Sequence, residues 1–392
     1  MSHIKVAIYS GIIPSSVFIE RLIEGLANRC VIVLLYGRKK KRCQYANRNI
    51  KVTGYTGKAG KIFFLIKYLV LLLIRKPLDL NRLIRYHINK RKFKESLNFL
   101  VKTAPIVFHK PDIFHIQWAK SIEDWMFLQE FGIKIVVSLR GAHINYSPVA
   151  DESLAQMYRR NFPKVDAFHA VSMAVADEAG KYGCPPERAK VIYSGLNPEE
   201  LKFSPKINPI TGDFKIISIG RPHWKKGYSY SIDACRLLAE RGFNFTYTII
   251  GGLSEELLFQ VHQLGLQGKV KLLPALPFDD TMSKLKDSDL LLLPSLEEGI
   301  ANVVLEAMAL GVPVLSTRCG GMEEAIKDNV NGFLVDTRSP AQIAESVIRI
   351  AKINDVAMLE ILSEARRTIE SVFNEDKMVN SMINLYQSVL PS

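Results

Sequence analysis

The densest set of chemically capable side chains in the 392-residue sequence lies in SDLLLLPSLEEGIANVVLEAMALGVPVLSTRCGGMEEAI. Glu298 and Glu306 stand eight positions apart there, one in a turn after an apolar strand and one inside the helix that follows. Carboxylates accept hydrogen bonds from vicinal hydroxyls, so the spacing suits recognition of a polyol; it also suits a Glu298 that supports its turn and a Glu306 that is solvated or salt-bridged. The backbone N–H groups of Gly299, Ile300, Ala301 and Asn302 open the helix and suit a diphosphate or a sugar hydroxyl. A second segment, ISIGRPHWKKGYSYSIDAC, sets Arg221 and Lys226 five residues apart in a strand-to-helix loop. Two fixed cations can neutralise charge building on a leaving phosphate, or they can belong to a basic surface loop. Lys225 is expected to face solvent, since adjacent loop side chains rarely point the same way.

Further candidates fall in the first half. VVSLRGAHINY puts Arg140 and His143 just after a strand. Arg140 can clamp an anion, and His143 can hydrogen-bond a sugar or move a proton near neutral pH; either can instead hold its own loop. The turn YSGIIPSS, at 9–16, brings Gly11 to where phosphates or an acceptor would approach. It contains no GxGxxG, and GxxxxGK[ST] is absent as well, so dinucleotide-binding and P-loop readings lack support. His109 and His115, in VFHKPDIFHIQWA, fit lining or structural places on a strand, and His169 in DAFHAVS is ambiguous. The five cysteines, Cys30, Cys43, Cys184, Cys235 and Cys319, include no CxxC pair, which points to a reducing compartment and no metal site.

These residues need strand ends and helix starts to hold them, and the sequence supplies both in alternation. KVAIYS, CVIVLLYG, IVFHKPDIFHIQWA, IKIVVSLRG and VDAFHAVS are apolar, β-rich runs separated by helical stretches such as VFIERLIEGLAN. The pattern predicts a parallel sheet covered by helices on both faces. A Pro-, Asn- and Gly-rich stretch follows, and a domain boundary is expected near 198–212. FKIISIG, FTYTIIGG, KVKLLPAL, SDLLLLPS and PVLSTRCG then restart the same alternation, and the chain ends in helices. In an open α/β sheet the ligand-bearing loops lie at the carboxyl ends of the strands, where all of the candidates above fall.

Hydrophobic residues make up 48% and charged residues 23%, which excludes collagen-like and largely disordered classes. The net charge of +13 is regional: from Arg38 to Lys110 there are 20 Lys or Arg against Asp79 and Glu95, a local +18 that leaves −5 for the rest. Such a field attracts nucleic acid, anionic lipid or a phosphorylated ligand alike. Within it lies IFFLIKYLVLLLI, at 62–74, thirteen residues with one charge, which is short of the roughly 20 needed to span a bilayer. Flanked by Lys58, Lys61, Arg75 and Lys76, it reads either as a helix lying on an anionic membrane surface or as a buried helix, in the core or against the partner domain. The N-terminus has no secretory pattern, so a cytoplasmic location is expected.

In combination, GR at Gly220 and Arg221, KG at Lys226 and Gly227, EGIANVVLE from Glu298 to Glu306, EAMALGVPVLST, and the Gly320–Gly321 pair resemble glycosyltransferase family 4 of the group 1 type. The resemblance is specific over about 205–340 and extends more weakly into the first half through VSLRG and VIYSGLN. It implies α/β architecture of the GT-B kind: two Rossmann-like domains with open parallel sheets facing each other across a cleft. Residues 1–200 would form the acceptor-side domain, 201–372 the nucleotide-sugar-binding domain, and 373–392 a helix packing back on the first. It further implies retaining transfer, by same-face attack, from a nucleotide diphosphate sugar, UDP- or GDP-linked, with no tightly bound cofactor and no metal. By resemblance Glu306 meets the ribose hydroxyls, Glu298 lies near the donor sugar, Arg221 and Lys226 bind the diphosphate, and the backbone of Gly299–Asn302 surrounds the donor. Many relatives carry His and Asp where this chain has Arg140 and His143, and often a Gly pair in the first loop where it has Gly11-Ile12.

The expected activity is thus transfer of a sugar to a saccharide acceptor, lipid-linked, in capsule, lipopolysaccharide or exopolysaccharide assembly, at the inner face of the cell membrane. A phosphorylase or epimerase would share the two-domain fold but would need features absent from these motifs. A nucleic-acid-binding protein would explain the basic field yet leave the paired carboxylates and the GR/KG arrangement without a role, so no nucleic-acid partner is expected. A transferase-like membrane scaffold is the remaining alternative; the presence of Arg221, Lys226, Glu298 and Glu306 weighs against it.

Overall fold

A computed structural model describes residues 4–40, 44–88, 93–206 and 212–391. Cys43, parts of the basic stretch and residues 207–211 of the expected boundary lie outside the described residues. The chain forms two compact units: residues 1–171, 176–192 and 375–392 make the first, and residues 172–175 and 193–374 the second.

The first unit holds a seven-stranded sheet of β1 (Lys5–Ile13), β2 (Ile32–Lys39), β3 (Ile50–Tyr55), β4 (Ile113–Ile116), β5 (Lys134–Leu139), β6 (Ala167–Ala170) and β7 (Ala189–Val191), in the order β3-β2-β1-β4-β5-β6-β7. The second holds six strands, β8 (Phe214–Ile219), β9 (Phe245–Ile250), β10 (Val270–Leu273), β11 (Leu290–Leu293), β12 (Val314–Thr317) and β13 (Phe333–Val335), in the order β10-β9-β8-β11-β12-β13. Every pairing is parallel. Helices on both faces explain why central strands such as IFHI, LLLL and VLST are buried along their whole length. In each sheet the strand order reverses once, between β1 and β4 and between β8 and β11. Diverging connections open a crevice at that point, beyond the carboxyl ends of the strands. The first crevice is bordered by the end of β1 with Gln117 and Trp118, the second by Gly220, Arg221, Pro294 and Ser295.

Two local readings change. The run IVFHKPDIFHIQWA is not a single strand: Ile106 to His109 end the helix Phe93–His109, Lys110 turns at φ 47°, and only Ile113–Ile116 is β4. Pro111 ends the helix, so β-branched and aromatic composition alone misassigned its last turn. The first strand also continues to Ile13, through a register shift between Ile8 and Gly11, so Gly11 sits within a strand rather than in a turn.

The helix Gly57–Arg75 contains the apolar run. Tyr68 and Leu72 are buried beneath it, whereas Ile62, Phe63, Ile66, Val70, Leu73 and Ile74 are exposed, Phe63 and Ile74 by 72% each. The alternative of a helix buried wholly in the core therefore fails: the helix turns one set of apolar side chains inward and a second set outward. Among the described residues no helix is long and apolar enough to cross a membrane.

The helix Glu375–Ser388 closes the first unit. Arg29 pairs with Asp376 at 2.6 Å, and Tyr386 reaches the ring of His115, whose Nδ1 lies 2.8 Å from its hydroxyl. His115 Nε2 is 2.8 Å from Ser138 Oγ, which is 2.9 Å from His169 Nδ1, and His169 Nε2 donates to the Ile192 carbonyl at 2.9 Å. Burial drives both rings toward neutrality, His169 down to about 3. Because the unfolded chain binds protons on these rings that the folded chain excludes, stability falls as pH drops below about 6.5. For His169 alone the loss at pH 5 is about 2 kcal/mol. Urea titrations at pH 7 and pH 5 should show this acid slope, and His169→Asn should flatten it even where it lowers stability at both pH values.

Candidate functional site

In the second unit the chain leaves β11 at Pro294, turns through Ser295–Gly299 and enters the helix Asn302–Leu310. Glu298 is 8% exposed at the centre of this turn. Its Oε1 lies 2.6 Å from Lys226 Nζ and accepts from Ser295 Oγ at 3.3 Å, while Oε2 lies 3.4 Å from Lys225 Nζ. Burial pushes the carboxyl up, but the two ammonium groups outweigh it and hold Glu298 below its ordinary range as a carboxylate. Lys225 therefore does not face solvent: its side chain is 15% exposed. The reason is the single turn of 3₁₀ helix at Trp224–Lys226, which bends the backbone enough to aim both lysines at one acid.

Two glycines make this packing possible. Gly227, at φ 62°, leaves no room for a Cβ, which would stand 2.0 Å from the Pro294 carbonyl oxygen. Gly320, at φ 52°, presses on the turn from β12, where a Cβ would stand 1.7 Å from the Glu298 carbonyl oxygen. The two loops are also joined by Leu296 N–H donating to Lys225 O at 2.6 Å and by Gly321 N–H donating to Gly299 O at 2.8 Å. Thr317 Oγ1 donates to Ser295 O. Arg221 is exposed at the end of β8 and forms no ion pair with a described residue. Glu306 is buried one turn into the helix. Lys226, Glu298 and the Gly299–Asn302 backbone are thus brought together, with Arg221 on the same loop as Lys226.

In the first unit Arg140 follows β5, and its Nη2 donates to Gln117 Oε1 at 2.7 Å, across the ends of β5 and β4. The guanidinium stacks 4.5 Å from the Phe18 ring and 5.9 Å from that of Trp118, and its buried Nε has no partner. No acid offsets its burial, which pulls it down to about 9, so it remains a cation near neutral pH. His143 stacks on Trp118 with centroids 5.2 Å apart; burial first, then Lys120 and Arg140, lower it to about 4. A neutral imidazole with an unpartnered, buried Nδ1 suits a hydrogen bond to a hydroxyl better than proton transfer near pH 7. Gln117, Phe18 and Trp118 carry no spacing signal in the sequence, because they reach Arg140 only through the strand order. Among the described residues no cluster of three or more His, Cys, Asp or Glu could hold a metal ion.

Residues 15–200 match the family model described as Glycosyltransferase Family 4, and residues 200–368 match that of Glycosyl transferases group 1. The chain belongs to the GT-B glycosyltransferases of this type. Its relatives include the putative colanic acid biosynthesis glycosyltransferase WcaL of Escherichia coli (strain K12), 29% identical over 67% of each chain. The amylovoran biosynthesis glycosyltransferase AmsK of Erwinia amylovora is 31% identical over 62% of this chain and 61% of its own. The crystal structure of Anabaena Alr3699/HepE in complex with UDP-glucose shares the fold, with a TM-score of 0.68 and 19% identity over 98% of this chain and 100% of that one.

For this glycosyltransferase the glycine contacts give a direct stability test. Gly320→Ala must displace the Glu298 carbonyl, and a fall of several degrees in the thermal midpoint is expected, against little change for the control Gly268→Ala, where a Cβ meets nothing within 4 Å. Lys226→Met should also destabilise the chain, by about 1–3 kcal/mol, because it leaves a buried carboxylate with only the longer Lys225 contact. Calorimetric scans of the three variants check both statements.

Proposed function

We propose that this chain is a retaining glycosyltransferase that moves a sugar from UDP- or GDP-linked donor to a hydroxyl of a lipid-linked saccharide during cell-surface polysaccharide assembly. Residues 201–372 take the nucleotide sugar and residues 1–200 the acceptor. The observation that carries the reading is the buried Lys226–Glu298 pair beside the helix start at Asn302, an anion site whose principal cation is held in place before any ligand arrives. The colanic acid and amylovoran relatives support the polysaccharide context, and the neighbour bound to UDP-glucose supports the donor class.

Cleavage of the sugar–phosphate bond develops positive charge on the sugar and negative charge on the leaving diphosphate. Lys226, Arg221 and the N–H groups of Gly299–Asn302 meet the second of these, and their interaction strengthens as the bond breaks. Glu298 fixes the Lys226 ammonium so that little reorganisation is needed during the step. Its own carboxylate stands beside the place of the donor sugar. The leaving phosphate oxygen takes the proton of the attacking acceptor hydroxyl on the same face, which preserves the anomeric configuration and needs no enzyme nucleophile. This step draws its countercharge from protein cations and assigns none to a metal ion. Glu306 accepts hydrogen bonds from the ribose hydroxyls, and Arg140 and His143 bind sugar hydroxyls or an anionic substituent at the end of β5.

The exposed apolar face of Gly57–Arg75, bordered by Lys58, Lys61, Lys67, Arg75 and Lys76, supports peripheral attachment to an anionic membrane at its inner face. Two measurements test the proposal. Glu306→Ala should reduce the preference for a ribonucleoside diphosphate over its 2′,3′-dideoxy form to about onefold, whereas the parent protein should prefer the ribose by at least tenfold; equal preferences in both would remove Glu306 from the ribose. Flotation should recover the protein with phosphatidylglycerol vesicles and not with phosphatidylcholine vesicles, and Phe63→Ser with Ile66→Ser should abolish recovery. Equal recovery on the two vesicle types would contradict the charge-assisted attachment.

A further inference from the structure

A cation taken out of water is ordinarily paired with an acid, and Arg140 forms no ion pair with a described residue. Its Nη2 is tied instead to the amide oxygen of Gln117, a neutral acceptor. Gln117 is fully buried, and its Nε2 stands 3.2 Å from His115 Nδ1, which turns Oε1 toward the guanidinium. The direction of the arginine is thus fixed while its charge is left uncancelled. A glutamate of the same shape at position 117 would do both.

The surroundings of Arg140 are also short of partners. Its Nε, the Nδ1 of His143 and the hydroxyl of Ser16 are buried and have no hydrogen-bond partner among the described residues. Ser16 opens the helix Val17–Asn28, whose Phe18 lies against the guanidinium. The acid in the first turn of that helix, Glu20, accepts from Ser15 N–H and from the Tyr45 hydroxyl. An uncompensated cation beside unfilled hydrogen-bonding atoms lacks what a ligand would bring: one negative charge and oxygens to accept and donate. Charge matching favours a monoanion. A phosphate dianion would keep an unbalanced charge against the rings of Phe18 and Trp118, and Lys120, whose charge also reaches His143, is exposed and screened by solvent. The same half-buried rings suit the apolar C–H face of a sugar.

Resting on the glycosyltransferase reading above, we infer that the crevice at the ends of β4 and β5 recognises a uronic-acid-type sugar, with the carboxylate on Arg140 and a neighbouring ring hydroxyl on His143. Gln117 is then a positioning residue: it holds the guanidinium in place and, by being neutral, leaves it free to pair with the substrate. The carboxylate arrives either on the nucleotide-linked donor or on the acceptor saccharide.

Calorimetric titration of the full chain separates these sources. The donor arm compares UDP-glucuronate with UDP-glucose and GDP-mannuronate with GDP-mannose; the acceptor arm compares methyl β-glucuronide with methyl β-glucoside in saturating UDP or GDP. The parent protein should prefer the carboxylate sugar by at least tenfold in one arm. Arg140→Gln should bring that ratio to within about twofold, and so should Gln117→Glu, which keeps the arginine but supplies it with an acid of the protein's own; either variant decides the point provided it retains a cooperative thermal transition. Equal binding of acidic and neutral sugars in both arms would overturn the assignment, as would a preference that survives in both variants. Glucose 6-phosphate binding as tightly as methyl β-glucuronide would give the crevice to a phosphate and overturn it too. A parent protein that binds UDP or GDP without any such preference loses only this inference, whereas one that binds neither nucleotide loses the donor reading on which it rests.

Discussion

A buried carboxylate needs compensating charge close at hand, and the second unit is arranged around meeting that need for Glu298. Moving such a group out of water costs several kcal/mol unless partners repay it, and here Lys226, Lys225 and the Ser295 hydroxyl do so together. Bringing them in requires the short 3₁₀ turn at Trp224–Lys226, the turn after β11 and the approach of the Gly320 loop. Gly227 and Gly320 are therefore tied to the electrostatics through space that no side chain can enter. The consequence for chemistry is that the Lys226 ammonium is fixed beside the start of the helix Asn302–Leu310, with its position determined by the protein's own acid.

The first unit meets a different electrostatic problem in a different way. Arg140 has no acid to pair with and is held by Gln117 and the faces of Phe18 and Trp118, so part of its desolvation remains uncompensated. His143, neutral through the same burial, lies against Trp118. These groups suit recognition of a substrate, while the buried His115–Ser138–His169 chain serves the fold, with every named ring nitrogen in contact with a partner. The two strand histidines, His115 and His169, thus lie in the core, whereas His143, in the short helix Gly141–Asn145 that follows β5, lies at a strand-end crevice.

Much of this was legible in the sequence because alternation of apolar strands and amphipathic helices fixes a parallel α/β architecture, and because strand-end motifs fall at the ligand-bearing edge. Lys226, Glu298 and the Asn302 helix start are of this kind. Lys225 was not legible, since its direction depends on a three-residue 3₁₀ turn, and neither were Gln117 and Phe18, whose approach to Arg140 depends on long-range strand order. The last turn of Phe93–His109 read as a strand because its residues favour β structure locally, and packing decided otherwise. The two faces of Gly57–Arg75 show the remaining limit: a thirteen-residue apolar run does not say which of its side chains look inward.

The central claim is that Lys226, held by Glu298, is the cation that meets the second phosphate of the donor. The most direct measurement is the ratio of dissociation constants for nucleoside monophosphate and diphosphate, using the uridine and guanosine pairs, in the parent protein and in Lys226→Ala. The account predicts at least tenfold preference for the diphosphate of one base in the parent protein and a collapse of that preference toward unity in the variant. A preference that persists undiminished in a folded Lys226→Ala protein would contradict it.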